Sequence, residues 1–387
     1  MPDDISPNKP DKKAQIQAWR HQIHAEPEMA FKEFKTSDLV AETLEAAGIE
    51  VHRGLAGTGV VGVLKSGKGP SIGLRADMDA LPIKEATGCS YASTHDGVMH
   101  ACGHDGHTAM LLGAALDLAE NPNFQGNIYL IFQPAEENEG GGTRMVEEGL
   151  FKQFPCDAIF ALHNWPGLGT GRIAVQPGPM MASYDRWEIT LSGKGGHAAM
   201  PEQTRDPMPV AAELTLALQT LVSRRVSPHE RAVLSVTKIE GGDTWNVIPE
   251  EVELWGCVRC FNETLRTQIE AEFHQIVNGI TSAHGMTARI NYRKDYPATI
   301  NTPEEAEFAA QIARELVGEE KVDTESDPSM ASEDFAVMLQ EVPGAYIWLG
   351  IGEDAARLHT PNYDFNDDVL VTGSELLAEL ARGWLAR

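Results

Sequence analysis

The chain has 387 residues, enough for two domains and a sizeable core. Its 31 Lys and Arg stand against 57 Asp and Glu, a formal charge of −26. That charge argues for solubility and against nucleic acid or an anionic membrane as partner.

The first ten residues, Met-Pro-Asp-Asp-Ile-Ser-Pro-Asn-Lys-Pro, carry no apolar core, so no signal peptide is expected. No apolar run is long enough to span a bilayer. The five cysteines are odd in number and scattered, which reads as reduced thiols in a cytoplasm. Helices are predicted over 12–25 and 36–48, the second closed by Gly48. Short strands follow over 59–65 and 71–75, and the second runs directly into Ala76-Asp77-Met78-Asp79.

Next comes the run Met99 to Met110, which holds His100, Cys102, His104 and His107. Cys102 and His104 sit two apart, so an extended loop projects both to one side. A thiolate and an imidazole converging there suit a borderline-soft cation such as Zn²⁺. Asp105 is expected to cap a helix that runs to about residue 119. Strands over 127–132 and 158–162 lead into Gln133-Pro134-Ala135-Glu136-Glu137 and His163-Asn164-Trp165-Pro166-Gly167. A later strand over 345–349 is followed by a loop with His359. Four apolar strands thus end, on their carboxyl side, in metal-compatible side chains, the place where α/β sheets put their sites.

The segment between has a different rhythm. Strands are expected over 184–191, 232–239, 252–261 and 288–292, and helices over 207–222 and 265–283. The order β-α-β-β-α-β is that of a ferredoxin-like unit. The expected division is therefore a discontinuous α/β domain, 1–183 and 298–387, with helices around a mixed sheet, and an inserted α+β unit at 184–297. Cys257 and Cys260 have knuckle-like spacing but lie in a predicted strand at i and i+3, facing opposite sides.

The collected set is Cys102, His104, Glu136, Glu137, His163 and His359, with Asp77 and Asp79 in reserve. It is generous for one ion and suits two. Adjacent Glu136 and Glu137 could divide the work, one binding metal and the other acting as base.

The runs His100 to His107, Gln133 to Glu137, Leu162 to Gly167 and Gly193-Lys194-Gly195-Gly196-His197-Ala198-Ala199-Met200-Pro201 resemble the hippurate hydrolase branch of the aminoacylase–carboxypeptidase metallopeptidases. Plant auxin-conjugate amidohydrolases share this branch. Arg75 to Pro82 also fits, with Asp77 where other branches carry a ligand histidine. The resemblance runs from about His21 to the last helix. It implies two divalent metal ions per subunit, bridged by Cys102 and completed by His104, Glu137, His163 and His359. Zn²⁺ or Mn²⁺ is expected, with Co²⁺ and Ni²⁺ compatible. Glu136 would be the catalytic base, and Asp79 and Asp77 would stand behind the ligands. His100 and His107 are left over, to orient a ligand or simply to pack.

The implied reaction is hydrolysis of the amide bond of an N-acyl amino acid. His197 would stabilise the oxyanion, reaching the neighbouring subunit's site, and Asn246 would contact substrate. The implied assembly is a homodimer through the inserted unit, a tetramer being compatible. Three alternatives stay open. One is a cysteine hydrolase built on Cys102, a histidine and Asn164. Another is a non-catalytic metal or ligand binder. The third is a dipeptidase or carboxypeptidase on the same fold.

Overall fold

The structure, a computed structural model, describes residues 11–137 and 139–387. The first ten residues, on which the expectation about a signal peptide rests, lie outside it. No helix among the described residues is long and apolar enough to cross a membrane. The described chain divides into two compact units. One comprises 11–180, 300–327 and 337–387, and the other 181–299 and 328–336.

The first unit is built on a mixed sheet. Among the described residues its strands run in the order Glu50–Leu55, Gly59–Ser66, Gly126–Gln133, Ser71–Asp77, Ala158–Pro166, Gly344–Gly352, Ile173–Ala174 and Val322–Asp323. The four central strands, from Gly126–Gln133 to Gly344–Gly352, are mutually parallel. Every residue of Ser71–Asp77 is buried, as expected of a strand covered on both faces, whose apolar run is therefore unbroken. The parallel strands present their carboxyl ends along one edge of the sheet. Asp77, Gln133 and His163 lie on that edge in the strands themselves, and the chain beyond carries Glu136, Glu137 and His359.

Helix His104–Glu120 is buried along most of its length and packs against Lys12–Ala25 and Leu370–Leu385. The approach to Leu370–Leu385 is close. A Cβ at Gly373 would meet the sulfur of Met110 at 2.1 Å, so any larger residue there would force Met110 to move. Leu111 and Leu112 are fully buried, each worth about 1.5–3 kcal/mol of transfer free energy. The start of this helix differs from expectation. Gly103, with φ of 93°, occupies the cap position, and Asp105 lies inside the first turn without capping it. Its carboxylate is drawn away by Arg20 and His24.

The second unit carries a four-stranded antiparallel sheet ordered Ala232–Glu240, Glu251–Cys260, Tyr184–Ser192, Thr287–Tyr296. Alternation along Tyr184–Ser192 buries Trp187, Ile189 and Leu191. They join Leu214 and Leu218 of helix Pro207–Thr220 and Ile269, Phe273 and Val277 of helix Glu263–Ala283 in one core. Asp206 and Asn262 cap these helices by accepting the N–H groups of Met208 and Leu265, each cap worth about 1 kcal/mol. Helix Pro207–Thr220 stops two residues short of the expected end and continues as a π-helical turn, Leu221–Arg225.

Candidate metal centre

Six side chains from separate stretches of sequence gather at the carboxyl edge of the first unit's sheet. Cys102, His104 and His163 place one ligand atom each within 4.8 Å of one another. Cys102, Glu137 and His359 do the same, as do His104, Glu136 and Glu137. Cys102 thus belongs to two three-residue sets. Its Sγ lies 3.6 Å from Nε2 of His163, and Nε2 of His359 lies 3.0 Å from Oε1 of Glu137.

The backbone fixes the tautomers. Nδ1 of His104 bonds the carbonyl of Asp79 at 2.9 Å, and Nδ1 of His163 bonds that of Asn164 at 2.7 Å. A carbonyl accepts only, so each Nδ1 carries a proton and each Nε2 turns a lone pair towards the cluster. Among the described residues, Nε2 of His104 is buried without a hydrogen bond. An unpartnered buried ring nitrogen beside a thiol is what a soft or borderline cation would satisfy.

The charge balance points the same way. Burial lowers His104, but Asp77, Asp79 and Glu137 together raise it to about 10, so the surrounding carboxylates favour positive charge at this position. Burial pushes the Cys102 thiol well up, and Glu137, Glu136 and Asp77 push it further. Burial and His107 hold His163 well below the usual range. Asn164 bonds His107 and Tyr363 through its side chain and does not orient the ring of His163 with it. The Cys102–His163 contact therefore lacks the side-chain orienter that a cysteine hydrolase would use.

Behind these groups lies a layer of carboxylates. Oδ1 and Oδ2 of Asp79 accept the N–H groups of Glu136 and Glu137, both at 2.9 Å. Asp77 accepts from Arg75 at 2.7 Å and bonds Nδ1 of His107 at 2.5 Å. Although burial raises it, His104, Arg75 and His107 hold Asp77 well below the carboxylate range. His107 reaches on to Oδ1 of Asn164 at 2.6 Å, so it ties its helix to the end of strand Ala158–Pro166. His100 is buried, with neither ring nitrogen hydrogen-bonded among the described residues. Burial lowers it to about 4 and keeps it neutral.

Two positions here carry left-handed backbone. Ala135 (φ 53°) precedes Glu136, and His359 itself has φ of 61°, a conformation costing about 1–2 kcal/mol for a non-glycine residue. The N–H of His359 is held by the carbonyl of Ala101 at 2.8 Å. Sequence patterning did not reveal Arg20, His24 or Glu33. Their partners lie on distant segments, and no local periodicity marks a buried charge.

His197 and Asn246 belong to the second unit. Two short strands, Gly196–His197 and Val247–Ile248, pair there, with His197 opposite Val247. The N–H of Ala198 donates to the carbonyl of Asn246 at 3.0 Å, so the two residues lie on adjoining backbone. The N–H of Ala199 donates to Nδ1 of His197 at 3.1 Å, and the side chain is exposed. An accepting Nδ1 leaves the proton of the neutral ring on Nε2. In the same unit Cys257 is half-buried and Cys260 buried on the one strand.

An α/β scaffold with a cysteine, histidines and carboxylates at its strand ends defines a metallopeptidase-type centre. Residues 73–383 match Peptidase family M20/M25/M40, and the chain belongs to that family. It is 42% identical to the hippurate hydrolase of Campylobacter jejuni over 376 residues, 97% of this chain and 98% of that one. It is 39% identical to the N-acetyl-L-cysteine deacetylase of Bacillus subtilis over 366 residues, 94% of this chain and 86% of that one. Among solved structures it resembles the YXEP protein of Bacillus subtilis, described as a dinuclear metal binding peptidase of the M20 family. The TM-score is 0.85 at 33% identity, covering 97% of this chain and 99% of that one.

Proposed function

We propose that this protein is a metal-dependent amidohydrolase that cleaves N-acyl amino acids of the hippurate or N-acetyl type into a carboxylic acid and an amino acid. The observation that carries the reading is the membership of Cys102 in two ligand sets, with His104 and His163 on one side and Glu137 and His359 on the other. Full-length similarity to a hippurate hydrolase and an N-acetyl-L-cysteine deacetylase supports the substrate class.

Those five residues would hold two divalent cations, Zn²⁺ or Mn²⁺ by preference, with Co²⁺ and Ni²⁺ compatible with the donors. When bound, such ions supply Lewis acidity and make water more acidic. Glu136 is the one carboxylate of the group not needed as a ligand. It takes the proton from the attacking water as the C–O bond forms, then delivers it to the amine nitrogen as the C–N bond breaks. The Nε2–H of His197 is the donor to the developing oxyanion. Asn246, in the turn just before the adjoining strand, contacts the substrate. Asp77 and Asp79 orient His107 and the Glu136–Glu137 backbone.

A twofold dimer through the second unit is part of the proposal. Strand Ala232–Glu240 is an edge of its sheet and exposes Val233 and Ile239, with Trp255 exposed on the neighbouring strand. An apolar edge of this kind calls for a cover. The described cysteines are all free thiols, which suits a cytoplasmic location.

The test is elemental analysis of the purified protein, followed by turnover of benzoyl-, acetyl- and succinyl-amino acids with and without chelator. Two equivalents of metal and chelator-sensitive release of the amino acid are expected. Faster cleavage of unblocked dipeptides than of any acyl-amino acid would move the assignment to a dipeptidase or carboxypeptidase.

A further inference from the structure

Glu33 stands in the connection between helices Lys12–Ala25 and Phe34–Ala46 and is fully buried. Its Oε1 accepts two backbone N–H groups, from Phe31 and from Ala135, both at 3.0 Å. The Oγ1 hydroxyl of Thr58 donates to its Oε2 at 2.6 Å. Among the described residues four that are not glycine have positive φ, and Phe31 (58°) and Ala135 (53°) are two of them. One carboxylate oxygen therefore grips two strained residues that are far apart in sequence.

The second of these matters for chemistry. Ala135 is where the chain turns after strand Gly126–Gln133, immediately before Glu136. The next two N–H groups, of Glu136 and Glu137, are taken by Asp79. Three successive amides are thus held by two buried carboxylates. Asp79 alone fixes the plane of the Glu136–Glu137 peptides but not the left-handed turn that leads into them. Ala135 is buried, and its carbonyl accepts from Gly141 at 2.8 Å. Without Glu33 its N–H would be a buried donor with no partner, costing about 1–3 kcal/mol. Relaxation of φ towards negative values would then swing Glu136.

We propose that Glu33 is a positioning residue for Glu136, acting through the N–H of Ala135 to hold the left-handed turn that aims the Glu136 carboxylate. This rests on the reading of Glu136 as the base. Burial pushes the Glu33 carboxyl up to about 7, and the charge of Asp79 pushes the same way. The grip works in either protonation state. A protonated Oε2 donates to Thr58 Oγ1 where the ionised one accepts, and Oε1 keeps both N–H groups throughout. A glutamine reproduces the protonated arrangement, with its amide oxygen on the N–H groups and its NH₂ on Thr58. An alanine reproduces neither, and an aspartate is one methylene too short to span Thr58 and Ala135 together.

The test measures kcat, KM, metal content and thermal unfolding for Glu33→Ala, Glu33→Asp and Glu33→Gln, each alone and combined with Glu136→Gln. Glu33→Ala and Glu33→Asp are expected to lower kcat about tenfold or more, with KM within about twofold and metal content unchanged. Glu33→Gln should recover most of that loss. In the Glu136→Gln background, Glu33→Ala should cost little further kcat. The positioning role is overturned by a loss of equal size in both backgrounds, by a loss carried in KM or in metal content, or by Glu33→Gln as impaired as Glu33→Ala. If Glu33→Ala does not fold, Glu33→Asp, which keeps the charge, decides by the same criteria. Near-normal turnover of Glu136→Gln by itself overturns the assignment of the base instead, so the two failures read differently.

Discussion

Nε of Arg20 donates to Oδ2 of Asp105 at 2.9 Å, and both side chains are wholly shielded from solvent. Asp105 directly follows His104 in the first turn of its helix. The same guanidinium donates to Asp367 at 2.8 Å and pairs with Asp364, on the segment that follows His359. One cation from the first helix therefore ties together two segments that carry proposed ligands. Although burial raises it, Arg20 and His24 hold Asp105 far below the carboxylate range. Burial opposes charge on Arg20 too, yet Asp105, Asp364 and Asp367 raise it well above its ordinary value.

Removing one partner of such a buried pair leaves an uncompensated charge, at a cost of about 3–5 kcal/mol. Arg20→Met, close in volume, is expected to lose stability on that scale in urea unfolding and to retain less metal after dialysis. A midpoint shift equivalent to under about 1 kcal/mol would show that the carboxylates find other partners.

Cys102→Ser tests the shared ligand. A hydroxyl is a far poorer ligand than a thiolate at neutral pH. Because Cys102 belongs to both sets, both equivalents of metal should fall, and activity with them. The loss should be a matter of binding and not of folding, since serine fills nearly the same volume. Full metal occupancy in the folded mutant would remove Cys102 from the centre.

The parts of this site that were legible in the sequence share a physical cause. Parallel strands buried on both faces are unbroken apolar runs, and the residues just past their carboxyl ends stand out as polar. Asp77, Glu136, Glu137 and His163 were readable for that reason, and His359 from the strand Gly344–Gly352. Strand Glu50–Leu55, largely exposed at the sheet edge, has no such run and gave no signal. Asp105 illustrates the opposite error. Its residue type and position before an apolar stretch favour a cap, but a buried arginine 85 residues away in sequence claims the carboxylate. Glu33 sits in a charged stretch, Phe-Lys-Glu-Phe-Lys, that reads as a solvated face. Its partners are backbone N–H groups, one of them 102 residues distant, which leave no trace in residue type.

Glu33 also predicts how stability depends on pH. Its folded-state carboxyl lies at about 7 against an ordinary 4.5. Between those values the folded state holds more protons than the unfolded state. Stability from this group is therefore fully present below about 4.5 and is lost as pH rises through 7. Glu33→Gln removes the titration. Relative to wild type it should gain stability as pH rises from 5 to 8, by about 2–3 kcal/mol at most. Paired urea titrations across that range measure the difference directly. A pH-independent difference would mean that Glu33 is ionised throughout.

The proposed exchange of His197 between subunits can be tested by complementation. Glu136→Gln removes the base, with an expected loss in kcat of about a hundredfold or more. His197→Ala removes the oxyanion donor, with a loss of similar order. Neither residue is a proposed metal ligand, so both mutants should fold and keep their metal. Suppose each site uses its own Glu136 and the partner's His197. A mixed dimer then has one site with both defects and one with neither. Random pairing of equal amounts makes about half the dimers mixed, each with one intact site of two, so activity should return to about a quarter of wild type. Mixing must be shown independently, by mass spectrometry of differently tagged subunits. If subunits exchange and activity stays at the level of the parents, His197 serves its own chain or has no part in the reaction. If activity returns, separating the subunits by dilution should abolish it again, because a folded monomer would lack the donor.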